Sequence, residues 1–262
     1  MIEKGQSIHK KSIKRILEFD GEGQQVNFLD NRFYKRHDNY YPSVTSILQY
    51  FPKGKFFENW LKDVGHNADF IAKKSADEGT QTHSLIERYL TGEKIDWLDD
   101  KGHAVCSLQV WQMLLKFVEF WQTEKPELIE SEIHLFSDTH KIAGTCDLVV
   151  RMRDELWILD IKTSNSVHTS YDLQMAAYTV CWNESFEEKV TKNGVIWLKS
   201  SKQKADKKGE KIQGKGWEIV TSDRSIEENW GLFNKVYDLY KLENPNHQPA
   251  FNKFPVSVQL ES

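Results

Sequence analysis

No stretch of this 262-residue chain is apolar for the roughly 20 residues that a membrane span needs, so no membrane association is expected. The opening residues, Met1-Ile2-Glu3-Lys4-Gly5-Gln6, lead into no apolar core of a signal peptide and carry an acid early, so the expectation is a cytoplasmic protein. Cysteine is scarce. Cys106, Cys146 and Cys181 are isolated, odd in number and never at paired spacing, which argues against a disulfide framework and against a four-ligand zinc or iron–sulfur site. No GxxxxGK[ST] phosphate loop occurs, so no ATP-driven motor is encoded in these residues. Repeats and linker-like composition shifts are lacking as well. Nor is there an excess of positive charge: the formal net charge is −4, unlike that of a protein coated in nucleic-acid-binding surface. Its distribution is uneven. Residues 199–216 hold seven lysines against Asp206 and Glu210, a local +5 that leaves −9 for the remainder. Both a solvated loop and a backbone-gripping arm fit such a run, with Lys202, Lys204, Lys207 and Lys208 as candidate DNA-binding residues.

What the chain does contain is a hairpin with acids in opposition. Gly144-Thr145-Cys146-Asp147-Leu148-Val149-Val150 and Leu156-Trp157-Ile158-Leu159-Asp160-Ile161-Lys162 are apolar runs rich in β-formers, separated by a polar segment. A turn centred between Arg153 and Asp154 sets residues whose numbers sum to 307 opposite one another, so Asp147 faces Asp160. Directly opposed β-carbons lie roughly 4.5–5.5 Å apart, where like charges are destabilising. A hard divalent cation offsets that repulsion, because Mg²⁺ or Mn²⁺ takes carboxylate oxygens and keeps places for water and phosphate. Strand alternation puts Lys162 on the face of Asp160 while Ile161 points away. Taken alone, the same pattern also fits an exposed hairpin end with ordinary charges.

The surrounding chain is readable in outline. Alternation over residues 12–19 and 26–29, with Asp20-Gly21-Glu22-Gly23 between, predicts a small N-terminal antiparallel sheet. Pro42 and Ser43 open a helix, with Ser43 as N-cap, and Val44, Ile47, Leu48 and Phe51 as core. A second helix follows the break at Pro52-Lys53-Gly54-Lys55, and a third spans 67–78. Gly79 either interrupts that helix or admits a close neighbour; Thr80 then caps a helix over 81–90, which carries His83 and Glu87 on one face. By itself that pair reads as a surface hydrogen bond. An amphipathic helix is predicted over 105–121, a first sheet strand over 128–136, and a helix over 171–183 with Gln174 and Tyr178 on one face. Strands near 190–199 and 217–221 bracket the lysine-rich segment, a last helix spans 225–242, and a loosely ordered tail follows from Pro249.

Asp147 followed by Asp160-Ile161-Lys162 resembles the core of the PD-(D/E)xK nuclease superfamily. The wider pattern, from Gly144 to Asp147 and from Asp160 to Ser164, is similar to its RecB-like exonuclease branch. The segment from Gly79 through His83 to Glu87 resembles that branch's upstream GxxxHxxxE helix, Glu132 falls on the preceding strand, and Gln174 to Tyr178 resembles its QxxxY helix. Cys146 stands where the superfamily signature has proline. The resemblance implies an α/β fold of α+β type. Its restriction-endonuclease-like central mixed sheet is flanked by helices, with N-terminal antiparallel strands (1–41), a helical insertion (42–125), the nuclease core (126–245) and a tail (246–262). It implies Asp147, Asp160 and Lys162 as catalytic residues, and Mg²⁺ or Mn²⁺ held by His83, Asp147, Asp160 and the carbonyl of Ile161. Glu87, Glu132, Gln174 and Tyr178 would support them, with Thr163 and Ser164 on the DNA. The expected function is a metal-dependent DNA exonuclease acting on single-stranded ends in repair, recombination or phage DNA processing. A separate helicase, recombinase or single-strand-binding protein would be its partner. The alternatives are a structure- or sequence-specific endonuclease and a catalytically silent nucleic-acid-binding protein.

Overall fold

A computed structural model of the chain describes residues 24–28, 31–198, 216–245 and 248–249. Three antiparallel strands come first: β1 (Gln24–Phe28), β2 (Asn31–Arg36) and β3 (Asn39–Pro42). The predicted first arm over 12–19 and its turn lie outside the described residues; the described arm, β1, pairs forward with β2. Four helices follow, α1 (Val44–Ile47), α2 (Gly54–Val64), α3 (Ala68–Leu90) and α4 (Leu108–Glu124). A five-stranded mixed sheet is then laid down by β4 (Glu127–Ser137), β5 (Ile142–Met152), β6 (Glu155–Lys162), β7 (Lys192–Trp197) and β8 (Glu218–Val220), adjacent in that order. Only β6 and β7 run parallel, and helix α5 (Thr169–Ser185) supplies the long connection that a parallel pair requires. Helix α6 (Ile226–Glu243) closes the described fold, started by a capping box between Ser225 and Glu228. The lysine-rich segment joins the antiparallel strands β7 and β8, but residues 199–215 and the tail from 250 onward lie outside the described residues.

The central hairpin has the register that its turn dictates. Arg153 and Asp154 both have positive φ, 55° and 62°, as in the two-residue turns whose twist matches that of the flanking strands. Met152 therefore opposes Glu155, and the pairs continue through Val150 and Trp157 to Leu148 and Leu159, each summing to 307. Beyond that last pair lie Asp147 and Asp160. The ladder gives way there: the Asp147 carboxylate, in place of a backbone carbonyl, accepts the N–H of Ile161 at 2.7 Å.

Apolar layers cover both faces of the sheet. On one, Val149, Ile158 and Val195 meet α1, α5 and α6 through Val44, Leu173 and Phe233. On the other, Leu148, Val150, Leu159 and Ile196 meet α3 and α4 through Ile86, Met113 and Phe117. Strict alternation would keep Cys146 in the layer of Leu148 and Val150, yet it packs with Val149. The reason is visible on β4, where Glu132 has a φ of 49° between the pairs Ser131–Leu148 and Ile133–Cys146. Both strands exchange faces at Glu132 and Asp147, so these two acids belong to neither apolar layer.

One helix prediction is corrected. The helices expected over 67–78 and 81–90 are a single 23-residue helix, α3, which runs through Gly79 without a break. The glycine serves the other purpose foreseen for it: a β-carbon there would stand 3.2 Å from Oγ1 of Thr163, at the end of β6. Thr80 consequently caps nothing, and His83 rides on a long helix fixed at its middle to the hairpin. The small N-terminal sheet docks close by. Tyr34 and Thr145 share a hydroxyl hydrogen bond of 2.8 Å, Tyr41 donates to Asp138 at 2.6 Å, and Arg36 pairs with the same carboxylate.

Gly144 has no room for a side chain, since a β-carbon would stand 2.4 Å from Cε1 of Tyr178. That ring is 2% exposed and wedged between α5 and β5. Gly144→Ala is expected to destabilise the protein by about 1–3 kcal/mol through overpacking, read as a lowered urea midpoint at unchanged slope. An unchanged midpoint would mean that the ring is free to yield.

Candidate active site

The end of β6 supplies Asp160 and Lys162 on one face. Asp160 is buried; its Oδ1 accepts a hydrogen bond from Gln174 Nε2 at 2.9 Å, and its Oδ2 lies 2.5 Å from the Lys162 ammonium. That second contact is an ion pair. Lys162 Nζ also donates to Gln174 Oε1 at 3.1 Å and stands 4.5 Å from the centre of the Tyr171 ring. Burial works against the ammonium charge. The Asp160 and Asp147 carboxylates outweigh it, so Lys162 holds its proton more tightly than an ordinary lysine. Gln174 further donates to the Tyr178 hydroxyl at 3.1 Å.

The second group faces this one across the hairpin. His83 Nε2 lies 3.1 Å from the carbonyl oxygen of Ile161. A carbonyl only accepts, so Nε2 carries a proton, and Nδ1 faces Asp147 Oδ2 at 3.6 Å. With Nε2 engaged by the carbonyl, Nδ1 is the ring atom that could ligate a cation shared with the Asp147 carboxylate. Glu132 completes the set: donor atoms of His83, Glu132 and Asp147 all lie within 4.8 Å of one another. Desolvation and the neighbouring Asp160 charge raise the Asp147 pKa to about 6. Partial burial, then Asp147, raises that of Glu132 to about 7, although Glu132 still opens to solvent. Two carboxyls and an imidazole grouped this closely are the hard and borderline donors that divalent cations take.

These residues share one cleft of about 1170 Å³. Of the positions singled out in the sequence, His83, Glu132, Asp147, Asp160, Ile161, Lys162, Thr163, Ser164, Gln174 and Tyr178 all line it. Glu87 does not: it is exposed one turn along α3, and only its charge reaches Glu132. Lys202, Lys204, Lys207 and Lys208 lie outside the described residues. The geometric triad differs from the expected ligand set, since Glu132 stands with His83 and Asp147, Asp160 is engaged by Lys162 and Gln174, and the Ile161 carbonyl is engaged by His83. Sequence reasoning missed Tyr171. Its signal was present, because residues 171, 174 and 178 share one helical face. Thr145 was missed too; it lines the cleft and is held by Tyr34 and by His134 Nδ1 at 3.0 Å.

A family model for the PD-(D/E)XK nuclease superfamily matches residues 33–238, a span that contains both groups of site residues. The chain belongs to this superfamily. An uncharacterized protein of Ureaplasma parvum serovar 3 is 28% identical over 160 residues, covering 58% of this chain and 71% of that protein. The solved structure of SSO0001 aligns with 67% of this chain and 88% of its own at 13% identity, with a TM-score of 0.27. No described helix is long and apolar enough to cross a membrane.

The raised carboxyl pKa values have a direct consequence for the metal-free protein. Asp147 and Glu132 hold protons more tightly folded than unfolded, so their contribution to stability is complete below the ordinary values of 3.8 and 4.5. It is lost as pH rises through about 6 and about 7 respectively. Glu132→Gln cannot ionise and escapes its share of that loss. In chelator, the Tm advantage of Glu132→Gln over wild type is expected to grow between about pH 5 and pH 8. A constant difference across that range would show that Glu132 is not crowded by charge.

Proposed function

We propose that this member of the superfamily is a divalent-metal-dependent DNA exonuclease of the RecB-like branch, hydrolysing phosphodiester bonds from single-stranded ends. The observation that carries the reading is the meeting of His83, Glu132 and Asp147 donors beside a fixed Lys162 ammonium in one cleft. A Mg²⁺ or Mn²⁺ ion held by His83, Glu132 and Asp147, with Asp160 adjoining, supplies Lewis-acid activation of water and neutralisation of phosphate charge. Lys162 keeps its proton and is pinned by Asp160, Gln174 and Tyr171, so it acts as a fixed positive charge for a phosphate oxygen. Gln174 holds Asp160 and Lys162 in register, and Tyr178 holds Gln174. Ser164 already donates its hydroxyl to the Ser166 carbonyl, so Thr163, free of such a bond among the described residues, is the better phosphate donor. The lysines from 202 to 208 would grip the backbone further along the strand. Because the sequence has no phosphate loop, a separate helicase, recombinase or single-strand-binding protein would deliver the ends.

An end-labelled linear single-stranded oligonucleotide and its covalently closed circle, each with Mn²⁺, test the reading together. The linear form is expected to be degraded and the circle to survive. Asp147→Asn, Asp160→Asn and Lys162→Ala are each expected to lower turnover by on the order of 10²-fold or more with the fold retained. Equal cutting of the circle would transfer the assignment to an endonuclease. Undiminished cleavage by Asp147→Asn would remove the site, and no cleavage at all by wild type would leave a binding protein.

A further inference from the structure

Helix α2 carries a file of side chains that the hydrolytic chemistry does not use. Lys53, just before the helix, Phe57 and Trp60 fall at i, i+4 and i+7 and therefore share a face. The Lys53 ammonium lies 4.7 Å from the centre of the Phe57 ring, and the Phe57 and Trp60 rings are stacked at 5.6 Å with 28° between their planes. That is the offset geometry aromatic pairs prefer, and the file ends at Trp60. Among the described residues no further ring lies against Trp60, and the indole is only half-buried. All three side chains line the cleft that contains Asp147. On α4, by comparison, Trp111 stacks on Trp97 and Trp121 on Phe117, and both indoles pack against the apolar layer of α3 and α4.

Charges of both signs line the cleft. Lys53, against the Phe57 ring, and Arg32 are its cations besides the catalytic Lys162, whereas its acids are Glu132, Asp147 and Asp160 of the catalytic cluster and Glu78, which pairs with Lys74. A ligand that suits both parts has flat apolar faces joined by anions. The geometry points to Trp60, backed by Phe57, as a stacking platform for an unpaired nucleobase of the substrate strand, with Lys53 and Arg32 on the flanking phosphates. This inference rests on the nuclease reading and adds to it the feature that selects single strands, because bases in a duplex already stack on one another and offer no free face. Stacking of this kind tolerates any base, since every base has a π-face.

Binding without turnover isolates the platform. In chelator, a fluorescently labelled single-stranded oligonucleotide is expected to bind wild type more tightly than an abasic strand of the same length. Trp60→Leu is expected to weaken binding of the base-bearing strand by about 5- to 150-fold, the equivalent of ~1–3 kcal/mol, and to leave the abasic strand nearly unaffected. Trp60→Phe keeps a ring and is expected to recover most of the loss, which separates stacking from a damaged fold. Equal losses on both strands, or none on either, would overturn the platform. Hydrolysis of bis(p-nitrophenyl) phosphate by wild type with Mn²⁺ tests the nuclease reading separately, because this small ester has no base to stack. Discrimination between the two strands without ester hydrolysis would leave the platform standing and sink the nuclease reading, whereas ester hydrolysis without discrimination would sink the platform alone.

Discussion

Repulsion among carboxylates at the open end of one hairpin is the constraint to which the rest of the molecule answers. Asp147 and Asp160 lie one step beyond the last paired residues of β5 and β6, and Glu132 joins them from β4. Charges of one sign are costly when they are brought together away from water, and the neighbouring groups are arranged to offset that cost. Lys162 neutralises Asp160, a backbone N–H of β6 bonds Asp147 Oδ2, and the long helix α3 brings a histidine against that same oxygen. What is left over is an electrostatic deficit centred on His83, Glu132 and Asp147. The site is thus incomplete in charge by construction, and a cation is the simplest completion.

Much of this was written in the chain. A turn at Arg153-Asp154, two apolar runs and arithmetic gave the register that brings Asp147 toward Asp160, because a two-residue turn admits only one pairing. Ser43 and Ser225 start their helices as capping chemistry demands. What stayed hidden has a common cause, which is that tertiary contact decided it. Gly79 reads as either a helix break or a point of close approach, and nothing local reveals that the neighbour is Thr163, 84 positions later. Glu132 reads as an ordinary strand residue, yet it is in the left-handed region, which lets two strands exchange faces. Tyr171 reads as an apolar residue of α5 until Lys162 is seen to rest on its ring.

The two apolar layers have different duties. The layer of α1, α5 and α6 backs the face that presents Asp160 and Lys162, and α5 holds those side chains through Gln174 and Tyr171. The layer of α3 and α4 backs the opposite face and carries His83. A site assembled from both sides of a sheet has to sit where the sheet ends, and the exchange of faces at Glu132 and Asp147 is what lets one set of side chains answer to both. Left-handed backbone at a non-glycine residue persists only where its surroundings enforce it, and here Glu132 is held between the strand pairs Ser131–Leu148 and Ile133–Cys146.

The shortness of the turn at Arg153-Asp154 reaches further than its two residues. Side chains on a strand change face at each step, so one extra residue in either arm between the turn and the acids would transpose odd and even positions and send a carboxylate into the apolar layer. Matched pairs of insertions, one in each arm, lengthen the hairpin without that transposition. The hairpin thus behaves like a vernier with two-residue divisions. Related chains that keep the acids in opposition are free to vary in arm length only by increments common to both arms.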